Sequence, residues 1–273
     1  KKNLQDLMEK IHSQYPDVTE KEVWQGLPGI ESQPWNSGGF KSNGNLKSKF
    51  MARAAKIIEK ADSLNMIVCL GFFYFGQDER LRDSKAVKRA LHNATQWVLE
   101  KNYRNVIVEI NNECDSPKYE HSVLRAEKVH ELIVEVSKIQ KDNNKLLVGT
   151  SFTRRMPPTD KVIDTSDFIL LHGNGMNNPS EIRERIIITR ESSYFRGQPI
   201  LFNEDDHFDF ENSSNNTVSA LTERTGWGFF DPGPGAGGYP AYSDYVFGYQ
   251  NIPINWTINT PRKKSFFQFL SKL

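Results

Sequence analysis

Continuous hydrophobic runs of strand length alternate with helix-like segments along most of this 273-residue chain. The runs lack polar alternation, which is typical of parallel strands that are covered on both faces. Because strands that alternate with helices form parallel sheets, the chain is predicted to be an α/β protein. The strand candidates are Glu22–Gly26, Met66–Phe73, Asn105–Asn111, Leu146–Ser151, Phe168–His172, Pro199–Asn203 and Gly226–Phe230.

Apolar residues that recur every three or four positions predict helices before, between and after these strands. The helix candidates are Lys1–Gln14, Leu46–Leu64, Ser84–Glu100, Ser122–Lys141, Pro179–Arg190, Thr217–Thr225 and Pro261–Leu273. The pattern favours a (β/α)8 TIM barrel whose first strand lies upstream of Lys1 or is missing, with residues 1–273 as a single domain. The alternative is a doubly wound open sheet, although no glycine-rich nucleotide-binding motif follows any strand.

The composition argues against two classes of partner. Basic and acidic residues number 35 and 34, so the net charge of +1 offers no basic field to nucleic acid. No apolar run reaches the ~18 residues that a membrane span requires. The only two cysteines, Cys69 and Cys114, are expected to be buried free thiols, and they leave the compartment undetermined. No cofactor is predicted, and the oligomeric state is left open.

Polar side chains stand at the ends of three of the predicted strands. Glu113 follows Asn112 after one hydrophobic run, Glu204 directly follows a later run, and His172 ends a run between them. Because the carboxyl ends of parallel barrel strands meet at one face, we expect Glu113 and Glu204 to lie across a shared cavity. Asn112 and His172 would line the same cavity and contact a bound molecule.

Two carboxyl groups that face each other can cleave a glycosidic bond. One protonates the departing oxygen, and the other attacks or stabilises the anomeric carbon. Glu113 and Glu204 are therefore candidate catalytic residues of a sugar-cleaving enzyme. Glu109, inside its strand, is instead expected to be a buried structural carboxylate paired with a cation such as Arg104 or Lys145.

The same residues carry a resemblance to a known family. Asn112 and Glu113 after the fourth strand, with Glu204 after the seventh, resemble the signature of the clan A glycoside hydrolases, which are cellulase-like TIM barrels. The stretches Phe73–Asp78 and Phe202–Phe208 are similar to uncharacterised bacterial cellulase-like proteins. The resemblance runs from the third strand to the eighth.

This resemblance implies an O-glycosyl hydrolase with Glu113 as the acid/base and Glu204 as the nucleophile. It also favours a secreted or periplasmic location and a carbohydrate substrate. The chain departs from the family in two places: Val23–Gly26 lacks the arginine that usually supports the nucleophile, and Asn174 stands where many members have a tyrosine. Tyr74 is a candidate to take that tyrosine's place. Carboxyl groups about 5–5.5 Å apart would make the reaction retaining.

Long loops follow the strands, and aromatic residues in and near them are candidates for stacking on sugar rings. The candidate platforms are Trp227, Trp35 and Trp256.

Two other functions are compatible with the sequence. Glu113, His172, Glu204, Asp206 and His207 supply enough oxygen and nitrogen ligands for a metal-dependent barrel hydrolase or isomerase. Against this, no His-X-His pair closes an early strand. A non-catalytic carbohydrate-binding barrel would keep the aromatic platforms without turnover. The favoured interpretation assigns no metal ligand.

Overall fold

The computed structural model of the protein describes residues 38–231, 258 and 261–273. Contacts divide the chain into two compact units, Lys1–Gly38 with Pro232–Lys264 and Gly39–Asp231 with Ser265–Leu273. All described strands lie in the second unit. The predicted strand and helix before residue 38 lie outside the described residues.

The described strands form two parallel sheets and a small antiparallel hairpin. The parallel sheets have the orders β1-β2-β5 and β6-β7-β8-β9, and only the residue Thr150 separates β5 from β6. One chain segment therefore joins the two sheets, and the parallel strands follow chain order. The mixed α/β class with parallel sheets is thus confirmed. The strands are β1 (Val68–Phe73), β2 (Val106–Asn111), β3 (Gln140–Lys141), β4 (Asn144–Lys145), β5 (Val148–Gly149), β6 (Ser151–Phe152), β7 (Ile169–His172), β8 (Ile200–Asp205) and β9 (Gly226–Phe229).

Local capping sets the start of the best-predicted helices. The Asp83 side chain accepts a hydrogen bond from the Ala86 N–H, so the second helix begins at Ser84 as expected. Asn178 and Glu181 form a reciprocal capping box ahead of the fifth helix. The helices are α1 (Ser48–Asp62), α2 (Ser84–Glu100), α3 (Val129–Ser137), α4 (Asp160–Thr165), α5 (Pro179–Glu191), α6 (Asn216–Thr222) and α7 (Pro261–Leu270).

The predicted helix over 122–141 is wrong at both ends. Ser122–Leu124 is a single 3₁₀ turn, and the last two residues of the range pair as β3 with β4 in an antiparallel hairpin. Asp142 and Asn143 have φ of 50° and 61°, the positive values that a tight type I′ turn requires at both central positions. Turn chemistry therefore ends the helical pattern. None of the helix candidates covers the short α4, which lies between β6 and β7.

Two apolar clusters hold the helices against the sheets. In the larger, Val108 of β2 and Ile133 of α3 are fully buried. In the smaller, Phe202 of β8 and Ile186 of α5 are fully buried. The packing of these helices against the sheets orients the strand ends that carry the polar residues.

β1 is an outer strand of the first parallel sheet and β9 an outer strand of the second, and no hydrogen-bonded ladder joins them within the described part of the chain. Ile67, just before β1, is 71% exposed, and Cys69 is also exposed. The expectation of two buried thiols is therefore correct for Cys114 and wrong for Cys69, because Cys69 lies on an edge strand. None of the described helices combines the length and apolarity that crossing a membrane demands.

Candidate active site

Glu113 lies just beyond the end of β2 in an unusual backbone conformation. Its φ of 51° is in the left-handed region, which residues with side chains seldom occupy. The surrounding main chain is held firmly, because the Glu113 N–H donates to Ser151 Oγ at 2.8 Å and the Cys114 N–H donates to the Ser151 carbonyl at 2.9 Å. Such strain, stabilised by neighbouring strands, is often found at functional sites.

Glu204 lies inside the last part of β8, which extends to Asp205 rather than ending at Asn203 as predicted. It pairs with His172 of β7 after a shift in register at the end of that strand. The Gly173 N–H donates to the Glu204 carbonyl at 2.7 Å. The irregular register brings the His172 and Glu204 side chains to the same end of the sheet.

The structure brings four of the predicted residues together at this end of the sheet. His172 Nδ1 lies 3.0 Å from Glu113 Oε1 and 3.7 Å from Glu204 Oε2. The His172 side chain is 1% exposed, whereas the two glutamates are 20% and 21% exposed. Asn174 Nδ2 donates a hydrogen bond of 2.6 Å to Glu204 Oε1. The imidazole therefore lies behind two carboxylates that remain accessible.

The electrostatics of these residues are coupled. Burial raises the pKa of Glu204, and the charges of Glu113 and Asp206 add to that rise, while the His172 charge and the Asn174 hydrogen bond oppose it. Burial lowers the pKa of His172, but the hydrogen bond to Glu113 and the surrounding carboxylate charges outweigh burial, so the net shift is upward. Protonation of His172 would therefore help to balance the negative charge of the pair.

Glu109 also belongs to this neighbourhood, although its sequence position suggested a different role. Its expected partners do not pair with it: no ion pair links it to Arg104, and Lys145 lies 4.0 Å from Asp167 instead. Glu109 is 7% exposed, and burial raises its pKa while the nearby His172 charge opposes the rise. The expected burial of Glu109 is thus confirmed, whereas its expected pairing with Arg104 or Lys145 is wrong. One sequence signal could have placed Glu109 near the pair. It is an acidic residue inside a buried strand, four positions before Glu113.

Two more of the predicted contact residues, Asn112 and Tyr74, lie at the ends of β2 and β1. Asn112 follows β2, and its carbonyl accepts from the Tyr119 hydroxyl at 2.5 Å. Tyr74 follows β1, with its ring 4.4 Å from that of Phe75. Both residues occupy the strand ends next to Glu113. Two of the predicted platforms, Trp35 and Trp256, lie outside the described residues.

Trp227 has contacts that favour a structural position. Its Nε1 donates to Asp205 Oδ2 at 2.8 Å, and its ring packs against those of Phe210, Phe229 and Phe266. Asp205 is fully buried and directly follows Glu204. These contacts connect Trp227 to the strand that carries Glu204.

Among the residues that the structure describes, two groups of side chains have atoms with the spacing of a metal centre. The atoms of Glu113, His172 and Glu204 lie within 4.8 Å of one another, and those of Asp205, Asp206 and His207 form a second such group. Asp205 already accepts hydrogen bonds from His207, Asn216 and Trp227. In the first group, His172 Nδ1 is hydrogen-bonded to Glu113. The candidate metal ligands therefore form two separate clusters, and their polar atoms are largely engaged in hydrogen bonds with other side chains.

Comparison with known proteins gives a weak structural likeness. The sequence matches no established family and no curated protein. Among solved structures, a chitinase from Bacteroides thetaiotaomicron is similar to this chain with 13% sequence identity and a TM-score of 0.44. The match covers 66% of this chain, and the chain spans 62% of the length of that chitinase.

Proposed function

We propose that this protein is a retaining glycoside hydrolase in which Glu113 is the acid/base and Glu204 is the nucleophile. One observation carries the proposal: a carboxylate oxygen of Glu113 lies within 4.8 Å of one of Glu204. Retaining glycosidases hold these groups about 5–5.5 Å apart, whereas inverting enzymes need roughly 6.5–9.5 Å to admit a water molecule. The short separation favours direct attack by a carboxylate.

The proposal includes a (β/α)8 barrel that forms a single domain over residues 1–273. Parallel strands that succeed one another in chain order support it. So does the position of Glu113, His172 and Glu204 at the carboxyl ends of β2, β7 and β8, where barrel enzymes carry their catalytic groups.

In the proposed reaction, Glu113 donates its proton to the departing glycosidic oxygen while a Glu204 oxygen attacks the anomeric carbon. Water then attacks the covalent intermediate, Glu113 removes its proton, and Glu204 leaves as a carboxylate. The Asn174 N–H would stabilise that carboxylate, since it donates to Glu204 Oε1. Asn174 thus offers a donor at the position where many relatives of the resembled family have tyrosine.

The direct test compares matched isosteric variants on chromogenic glycosides and polysaccharides. Glu113→Gln and Glu204→Gln are each expected to lower turnover by about 10²-fold or more, because each removes one of the two carboxyl functions. Glu211→Gln, which changes an exposed glutamate on the loop after β8, is the control and should keep wild-type turnover. Wild-type turnover in either site variant would reject the assignment.

A second experiment separates the two roles. A fluorinated sugar that traps the covalent intermediate should add its mass to a peptide containing Glu204 and not to one containing Glu113. Glu113→Ala should lose less activity on substrates with good leaving groups than on those with poor ones, because only poor leaving groups need protonation. Labelling of Glu113 would reverse the assignment.

Metal-dependent hydrolysis is the second candidate, because the spacing of Glu113, His172 and Glu204 also suits a divalent ion. The two-carboxylate mechanism needs no ion, so prolonged dialysis against a chelator should leave turnover unchanged. Loss of turnover that returns on addition of one divalent metal would favour the metal mechanism instead.

A further inference from the structure

An open cavity beside α2 lies apart from the candidate active site. Its volume of about 300 Å³ is at the lower end of the roughly 300–1,000 Å³ that is typical of ligand sites. Because α2 runs from the carboxyl end of β1 to the amino end of β2, its C-terminal half lies toward the opposite end of the sheet from Glu113 and Glu204. The residues that line this Trp97 cavity are Asn45, Leu46, Asn93, Gln96, Trp97 and Glu100.

One wall of the Trp97 cavity is a single face of α2. Its four lining residues on this helix follow the spacing i, i+3, i+4 and i+7, which brings side chains together, and none of the four is buried. The opposite face of α2 packs into the larger apolar cluster, where Val87 and Val98 are fully buried. Packing on that face therefore fixes the wall.

The other wall, residues 45–46 ahead of α1, is held against α2 by the residue before it. Asn93 Nδ2 donates a hydrogen bond of 3.1 Å to the Gly44 carbonyl. Gly44 has a φ of 85°, and it approaches α2 so closely that a methyl group there would clash with the Ala86 carbonyl oxygen. Both walls are thus rigid, as expected of a site that is formed before its ligand arrives.

Polar groups without partners define what the cavity can bind. The side chains of Asn45, Gln96 and Glu100 form no hydrogen bond or ion pair with the residues that the structure describes. Amide groups donate and accept hydrogen bonds and a carboxylate accepts them, so together they match a ligand rich in hydroxyl groups. No lysine or arginine is among the lining residues, so the cavity offers no charge to an anion.

Trp97 adds a flat apolar surface to these polar groups. The side chain is partly exposed, and its ring contacts that of Tyr103 edge-on, with centroids 5.5 Å apart at 68°. The Tyr103 hydroxyl in turn donates to Glu59 Oε1 at 2.8 Å, which holds the supporting ring in place. The indole N–H of Trp97 has no acceptor in the described part of the chain. A fixed aromatic ring bordered by unpaired hydrogen-bonding groups suits a sugar ring, which has apolar C–H faces and a rim of hydroxyls.

We propose that the Trp97 cavity is a second carbohydrate site, which binds an uncharged oligosaccharide apart from the candidate active site. Binding at this cavity does not depend on the proposed glycosidase function. If that function holds, the second site keeps the enzyme attached to a polysaccharide, because attachment at one site raises the effective concentration of the polymer at the other.

The first test is NMR of the full chain labelled with ¹⁵N-tryptophan and titrated with cellohexaose, chitohexaose or oligogalacturonate. Trp97→Phe identifies the Trp97 indole signal, and all samples carry Glu204→Gln so that the oligosaccharides are not consumed. At least one uncharged oligosaccharide should shift this signal in a saturable way. Oligogalacturonate should bind more weakly, because its carboxylates meet Glu100 and no cation. No shift with either uncharged oligosaccharide at millimolar concentration, or tighter binding of oligogalacturonate, would overturn the proposal.

The second test removes single hydrogen-bonding groups from the cavity. Gln96→Ala and Glu100→Ala alter exposed side chains, so both variants should fold, and each should weaken binding by roughly 3- to 10-fold in the same titration. Gln268→Ala, at an exposed glutamine of α7, is the matched control and should keep the original affinity. Unchanged affinity in both cavity variants would place the bound sugar elsewhere and overturn the proposal.

Kinetics separate this site from the proposed active site. Gln96→Ala should keep the wild-type kcat on a small chromogenic glycoside and lose activity on a polysaccharide, because only the polymer reaches both sites. An equal loss on both substrates would contradict a separate site. If the wild type hydrolyses no glycoside, the proposed function fails, and the titrations decide by themselves whether the Trp97 cavity binds carbohydrate.

Discussion

Glu204 is held between groups that favour and disfavour its charge. Burial raises its pKa, whereas the Asn174 hydrogen bond and the His172 charge oppose the rise. A nucleophile must be ionised to attack. A raised pKa of Glu204 therefore moves the acid limb of the pH–activity profile, where activity falls as the pH is lowered, to a pH above the glutamate pKa of about 4.3. The balance among three side chains therefore sets the pH range in which the proposed enzyme works.

Removal of the Asn174 donor should move this range. Asn174 Nδ2 favours the charged form of Glu204, so Asn174→Ala should raise the pKa of Glu204 further and shift the acid limb of kcat/KM to higher pH. At pH values above the shifted limb, activity should recover in part. The measurement is a pH profile with a chromogenic substrate, with Asn177→Ala as the control. An acid limb that stays in place or moves to lower pH would contradict this coupling.

At the scale of elements, local signals predicted some boundaries well and others poorly. The start of α2 follows from a side-chain cap, which depends only on nearby residues. The β3–β4 hairpin was missed because the apolar repeat of the preceding helix runs on to Ile139, directly before β3. Two residues with positive φ, Asp142 and Asn143, end that pattern. A turn formed by two residues can thus override a longer helical repeat.

The hairpin turn gives a prediction for stability. Asn143 has a φ of 61°, so Asn143→Gly should preserve or slightly increase stability, whereas Asn143→Val should cost about 1–2 kcal/mol because a β-branched residue is strained there. Urea unfolding measures both variants. Asn144→Val, in the adjoining strand β4, is the matched control and should have little effect. Equal stability of the valine and glycine variants at 143 would argue against this turn.

At the scale of the whole molecule, the junction between the two parallel sheets lies directly beneath the site. Thr150 Oγ1 donates to the Asn111 carbonyl at 2.8 Å and lies 3.1 Å from Asn111 Oδ1. Asn111 Nδ2 in turn donates to the Leu124 carbonyl at 2.9 Å. This buried network connects the end of β2, which precedes Glu113, to the segment that joins both sheets.

Disruption of this junction should affect stability and activity together. Thr150→Val keeps the shape but removes the hydroxyl, so it should cost about 1–3 kcal/mol of unfolding free energy and reduce turnover through displacement of Glu113. Thr189→Val is the control, because the buried Thr189 hydroxyl donates within α5, to the Arg185 carbonyl. Denaturant unfolding and kinetics on the same samples measure both effects. A larger loss of activity in Thr189→Val would contradict the role of the junction.

The sequence by itself determined the α/β class, the approximate position of most described strands, and Glu113, His172 and Glu204 as residues at strand ends. These features depend on hydrophobic periodicity and on polar residues next to apolar runs, which are local properties of the chain. Only the tertiary structure decided that atoms of the three side chains meet within 4.8 Å and that Lys145 lies beside Asp167 rather than pairing with Glu109. Register between strands sets those distances, and the shift near His172 that brings it beside Glu204 arises from packing between strands far apart in sequence.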